Sequence, residues 1–93
     1  MILVFRGPLM KESLLSDVSQ TLRILRKEKN LTQDELSYLA GLDRTYISGI
    51  ERGIRNLTIN SLEEIIKALN LSPDEFLDAL IKYRLNKEQN SGS

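Results

Sequence analysis

Apolar residues recur along this chain at intervals of three and four, in runs bracketed by hydroxyl or acidic residues before and asparagine or glycine after. Leu15, Val18, Leu22 and Leu25 form the first stripe. That spacing predicts a helix from Lys11 or Ser13 to Lys29, with Asn30 as a left-handed stop. Thr32-Gln-Asp-Glu35 is a capping box, so a second helix opens at Thr32, buries Leu36, Leu39 and Ala40, and ends at Gly41. Asp43 then caps a third helix in which Ile47 and Ile50 point inward and which Gly53 stops. Thr58 caps a fourth, with Leu62, Ile65, Ile66 and Leu69 as its apolar positions and Asn70 as its end. Ser72-Pro-Asp-Glu75 is a second capping box, with proline where its missing amide costs nothing. The helix it opens carries Phe76, Leu77, Leu80, Ile81 and Tyr83. Five helices without a strand predict an all-α, compact five-helix bundle.

Ninety-three residues suit one domain with short appendages. We expect an N-terminal extension over residues 1–10, the folded domain over 11–85 and a disordered polar tail over 86–93. Gly7-Pro8 interrupts any pattern before Met10, which suggests Met10 as the natural start. The chain has no cysteine and no histidine, which removes disulfides, thiolate catalysis, the commonest zinc sites and the Ser/His/Asp triad. It has no phosphate-cradling glycine loop of a standard pattern. No cofactor, metal or enzymatic activity is expected. Met1 to Phe5 is too short an apolar run for a signal peptide or a membrane span, so a cytoplasmic protein without membrane contact is expected.

Net charge is zero, but its distribution is uneven. From Arg23 to Arg55, seven cations face five acids; from Thr58 onward, six acids face four cations. A weakly basic part beside an acidic one suits a protein that presents one side to phosphate. The stretch from Leu31 to Leu57 sharpens this picture. Two short helices with a tight turn between them leave Arg44, Thr45, Ser48 and Gly49 on the outer face of the second. A cationic, hydroxyl-bearing helix start is what a DNA major groove accepts. The pattern therefore predicts a helix-turn-helix.

The residues from Leu22 to Leu77 resemble the lambda Cro and repressor (XRE) helix-turn-helix family. The likeness rests on Leu22, Leu25, Arg26, Leu31-Thr-Gln33, Leu36, Ala40-Gly41, Ile47-Ser48, Glu51, Gly53, Leu62, Ile65 and Ala68-Leu69. Ser37 and Leu57 depart from it, where the family commonly has alanine and many members have proline. Asp43 to Arg52 with Arg55-Asn-Leu-Thr58 further resembles the controller proteins of restriction–modification systems. The resemblance implies a sequence-specific transcriptional regulator that binds double-stranded DNA at an inverted-repeat operator as a homodimer. RNA polymerase is a further partner for such a role, and no small-molecule ligand is expected. The alternatives are a phage-type repressor, the antitoxin of a toxin pair, or a protein–protein interaction module on the same fold.

On this reading Arg44, Thr45, Ser48 and Gly49 form the base-reading set. Arg44 can fork onto guanine O6 and N7; its plain alternative is a solvated arginine or an ion pair with Asp43. Thr45 and Ser48 offer hydroxyls or serve as ordinary helix residues, and Gly49 would let the helix approach the groove closely. Gln33, Tyr46, Arg52, Arg55 and Asn56 are the phosphate-binding candidates, although the Tyr46 ring could instead pack on the first turn. The resemblance also implies a partly buried ion pair between Arg26 and Glu51. Phe76, Leu77, Leu80 and Ile81 are the dimer-interface candidates. Phe76 and Leu80 could face the core with Leu77 and Ile81 toward a partner, or the reverse.

Overall fold

The structure, a computed structural model, describes residues 13–91. The extension over residues 1–10 and the proposed start at Met10 lie outside them. Five helices follow in order: α1 Leu14–Glu28, α2 Gln33–Ala40, α3 Arg44–Glu51, α4 Ile59–Ala68 and α5 Pro73–Ser91.

The starts and stops follow the side chains. Ser13 caps α1 by accepting from the Ser16 amide at 3.1 Å. Thr32 and Glu35 complete a reciprocal capping box on α2. Thr58 accepts from the Ser61 amide on α4, and Ser72 and Glu75 exchange bonds at the start of α5. Asp43 is the exception. It occupies the N-cap position of α3 but its side chain makes no capping bond. Four helices close in one manner. A left-handed residue (Asn30, Gly41, Gly53 or Asn70) is followed by an apolar one whose amide reaches back to the last turn. Leu31 bonds the Arg26 carbonyl, Leu42 that of Ser37, Ile54 that of Gly49 and Leu71 that of Ile66. This closure satisfies carbonyls that a helix end leaves open. It also drives the next residue back onto the core at Leu31, Leu42 and Leu71.

The core gathers Val18, Leu22 and Leu25 from α1, Leu36 and Ala40 from α2, and Ile47 and Ile50 from α3. Ile65, Ile66 and Leu69 from α4 and Phe76 and Leu80 from α5 complete it. Two expected core positions lie outside: Leu15 is on the rim and Leu39 is exposed. The α2 helix is only eight residues long, so Leu36 and Ala40 fill its single inward line and Leu39 falls beside it. The polar stretch from Asn86, expected to be disordered, continues α5 through Ser91. Part of the reason lies at Asp17, which is fully buried on α1. Its carboxylate binds Arg84 and, at 2.5 Å, Lys87. These two cations from the fourth turn of α5 latch that end of the helix onto α1.

Asp17→Ala strands no buried cation, because Arg84 and Lys87 both reach solvent. It does remove two charge-assisted bonds, so a loss of about 1–3 kcal/mol is expected. In a domain of this size that is a fall in Tm of about 4–20 °C, measurable by circular dichroism. An unchanged melt would show that the latch contributes nothing.

Candidate nucleic-acid interface

The α3 helix is short, lacks a side-chain cap and ends in an acid, Glu51. An acid at a helix C-terminus opposes the macrodipole, so α3 must be held from outside. Ile47 and Ile50 are almost wholly buried and supply the apolar anchor. Glu51 supplies the polar one. Its Oε2 accepts from Arg26 Nε at 2.6 Å, and its Oε1 accepts from Arg26 Nη2 at 2.9 Å. The third nitrogen, Nη1, donates to the Leu31 carbonyl at 2.7 Å. Hydrogen bonding to Glu51 is the main reason the Arg26 guanidinium is held above its ordinary pKa; burial opposes this and the Glu51 charge assists it. One planar fork thereby joins the end of α1, the turn into α2 and the end of α3.

Gln33 belongs to the same network. Its Nε2 donates to Glu51 Oε1 at 3.0 Å, so the side chain named as a phosphate contact is turned inward. Glu51 takes this amide with a carboxylate lone pair that the Arg26 fork leaves open, and the Gln33 amide keeps a second N–H. The capping box occupies the amides of Thr32 and Glu35 and leaves the first-turn amides of Gln33 and Asp34 open at the helix start.

With its inner face anchored, α3 turns Arg44 and Thr45 to solvent, both exposed, with Ser48 half-buried beside them. Arg44 is 63% exposed at its side chain and pairs with Asp34 of α2, 2.9 Å away, rather than with Asp43. Gly49 does not lie on this face. It is buried, and a Cβ there would stand 2.3 Å from Arg55 Cγ. Its missing side chain admits Arg55, not a base, so its place among the base-reading residues is withdrawn.

Arg55 then lies over the Tyr46 ring, its guanidinium carbon 5.6 Å from the centroid. Tyr46 is half-buried, and its hydroxyl is 3.1 Å from the Asn56 carbonyl and 3.2 Å from Ser61 Oγ. A phenol has one hydrogen, so it donates to the carbonyl and accepts from the Ser61 hydroxyl. Tyr46 thus fastens α3 to the loop and to α4, and its ring packs against the core rather than on the first turn. Arg52, Arg55 and Asn56 line the exposed loop after α3. Sequence reasoning missed Asp34 and Ser61, because both pairings cross between elements and leave no short-range signal.

Among the described residues no group of acidic side chains could hold a metal ion, and the chain has no histidine or cysteine. No helix of the described residues is long and apolar enough to cross a membrane. At the other end of the domain, Phe76 and Leu80 sit in the core, whereas Leu77 and Ile81 are half-exposed. Phe76 and Leu80 therefore leave the set of interface candidates, since the protomer itself covers them.

Removing Glu51 leaves the Arg26 guanidinium buried without a counter-charge. Glu51→Ala is expected to cost about 3–5 kcal/mol and to weaken DNA binding with it. A denaturant titration and a binding isotherm on the same preparation check this. Reduced affinity at unchanged stability would deny Glu51 its structural role.

The helix-turn-helix family model HTH_3 matches residues 22–76. Control protein C.BamHI of Bacillus amyloliquefaciens is 45% identical over 60 residues, 63% of this chain and 74% of that protein. Control protein C.SmaI of Serratia marcescens is 40% identical over 60 residues, 64% of this chain and 71% of that protein. The crystal structure of the wild-type restriction–modification controller protein C.Esp1396I superposes with a TM-score of 0.76 at 56% identity, covering 77% of this chain and 95% of that one. The same protein has been solved as a tetramer in complex with its natural 35-base-pair operator. With its five helices, its outward α3 and these relatives, the chain belongs to the XRE-type helix-turn-helix family.

Proposed function

We propose that this protein is a sequence-specific, DNA-binding transcription regulator that acts as a homodimer on an inverted-repeat operator, the controller of a restriction–modification system. One observation carries the reading. Ile47, Ile50 and Glu51 pin α3 from within, while Arg44 and Thr45 are exposed on its outer face. The likeness to C.Esp1396I, solved on its operator, supports it. Arg44 reads guanine, Thr45 and Ser48 add hydroxyl contacts, and the open amides at the start of α2 receive a phosphate. Arg52 and Arg55 in the following loop add two cations toward the backbone.

Such contacts release counterions. In a dimer with two cations per subunit on phosphate, the logarithm of affinity should fall with the logarithm of salt at a slope of about −3 to −5. Fluorescence anisotropy on a labelled duplex of operator length measures it. No binding at low salt would favour a protein-interaction module on the same fold.

Self-association belongs to α5 in this proposal. Leu77, Ile81 and Leu85 recur every fourth residue and are each half-exposed, on a stripe beside that of Phe76 and Leu80. Leu77 also borders an apolar groove with Leu62, Ile66 and Phe76. A helix with an exposed apolar stripe beside its buried one needs a second surface to cover it. Replacing Leu77 and Ile81 together with aspartate should convert the dimer to a monomer in sedimentation velocity at micromolar concentration, with the fold retained. A dimer that survives the exchange would move the interface elsewhere.

A further inference from the structure

We infer that Asp34 is a specificity-determining residue, acting through Arg44. The inference deepens the base-reading proposal for Arg44 and rests on it. The two residues belong to different helices, and the first turn of α2 is brought against the first turn of α3 by the tight turn at Gly41. Asp34 Oδ1 approaches Arg44 at Nε, the inner nitrogen of the guanidinium, at 2.9 Å. The two terminal amino groups make no hydrogen bond among the described residues. They are the groups a guanine edge requires, because its O6 and N7 take two parallel N–H donors.

Two physical effects follow from a carboxylate at that position. The first is orientation. Arg44 is long and exposed, and without a partner it would sample many rotamers before docking. A carboxylate at the inner edge narrows that set while the outer fork stays open. The second is selectivity through charge. A free arginine is drawn to any phosphate, whatever the sequence. With Asp34 beside it, the net attraction of the pair for phosphate is small, and Asp34 itself repels the backbone. Only an acceptor pair in the right plane offers Arg44 more than it already has. Asp34 therefore lowers non-specific affinity and raises discrimination, the signature of a device that acts against wrong sites. An exposed pair of this kind adds little stability, so stability alone does not account for its placement.

The test is selection from a pool of duplexes with a randomised centre, run in parallel for the parent, Asp34→Asn and Arg44→Ala, with thermal melts on all three. The parent should enrich an inverted repeat. Arg44→Ala should lose preference at one guanine per half-site, worth about 5- to 150-fold. Asp34→Asn should weaken preference at that same guanine by about 3- to 10-fold and leave the other positions intact. It should also bind random duplex more tightly than the parent, with an unchanged melt. If the parent enriches no sequence, the DNA reading itself falls and this inference with it. If Arg44→Ala keeps every preference, the base-reading role of Arg44 falls. If Arg44→Ala loses the guanine but Asp34→Asn keeps both the preference and the non-specific affinity of the parent, the inference alone is overturned. Loss of preference at all positions with a lowered melt would assign Asp34 a structural role and overturn it equally.

Discussion

The fork between Arg26 and Glu51 is the interaction on which the outer face of α3 depends. An eight-residue helix without a side-chain cap does not hold itself together in water. Hydrophobic burial of Ile47 and Ile50 brings α3 to the globule but leaves rotation about its axis loosely determined, because apolar contacts have no direction. A bidentate guanidinium–carboxylate contact does have direction. It also involves the Leu31 carbonyl and the Gln33 amide, so the turn before α2 is held in the same frame. Arg26 sits at the foot of α1, where a cation favours the helix end, and it answers the acid that α3 carries at its own unfavourable end. One pair therefore corrects a local electrostatic defect and orients the surface proposed to meet the nucleic acid.

Most of the architecture was legible in the order of residues, and the reasons are local. Capping boxes at Thr32 and Ser72, left-handed stops at Asn30, Gly41, Gly53 and Asn70, and apolar spacing of three and four all act within a single turn. What escaped was what acts across space. Nothing near Asp17 in the sequence announces that its partners are Arg84 and Lys87, more than sixty residues away. The helical continuation beyond Asn86 escaped for the same reason, since polar composition alone argued for a tail. Gly49 was misplaced because a glycine in a helix signals close approach without saying of what; the answer was a side chain of the following loop. Leu39 and Leu15 were misjudged because a short helix, or the first turn of a longer one, has fewer inward positions than it has apolar residues.

Overall neutrality conceals a local division of charge. Three of the five acids that offset the cations around α2 and α3 are already engaged: Glu51 with Arg26, Glu35 in its capping box, Asp34 with Arg44. Neutral composition is thus compatible with a surface whose contacts with a polyanion are few and directed. Such a surface would gain more from matching acceptors in the groove than from bulk attraction.

The tie between Asp17 and the far end of α5 has a consequence for assembly. It joins the first helix to the last and leaves α2 and α3 untouched. If copies of the chain meet along the outer stripe of α5, the tilt of that helix on α1 determines how far apart, and at what mutual rotation, two α3 helices stand. Changes at Asp17, Arg84 or Lys87 would then alter which separations of paired sequences the assembly can span, while each copy kept its own letter-by-letter preference.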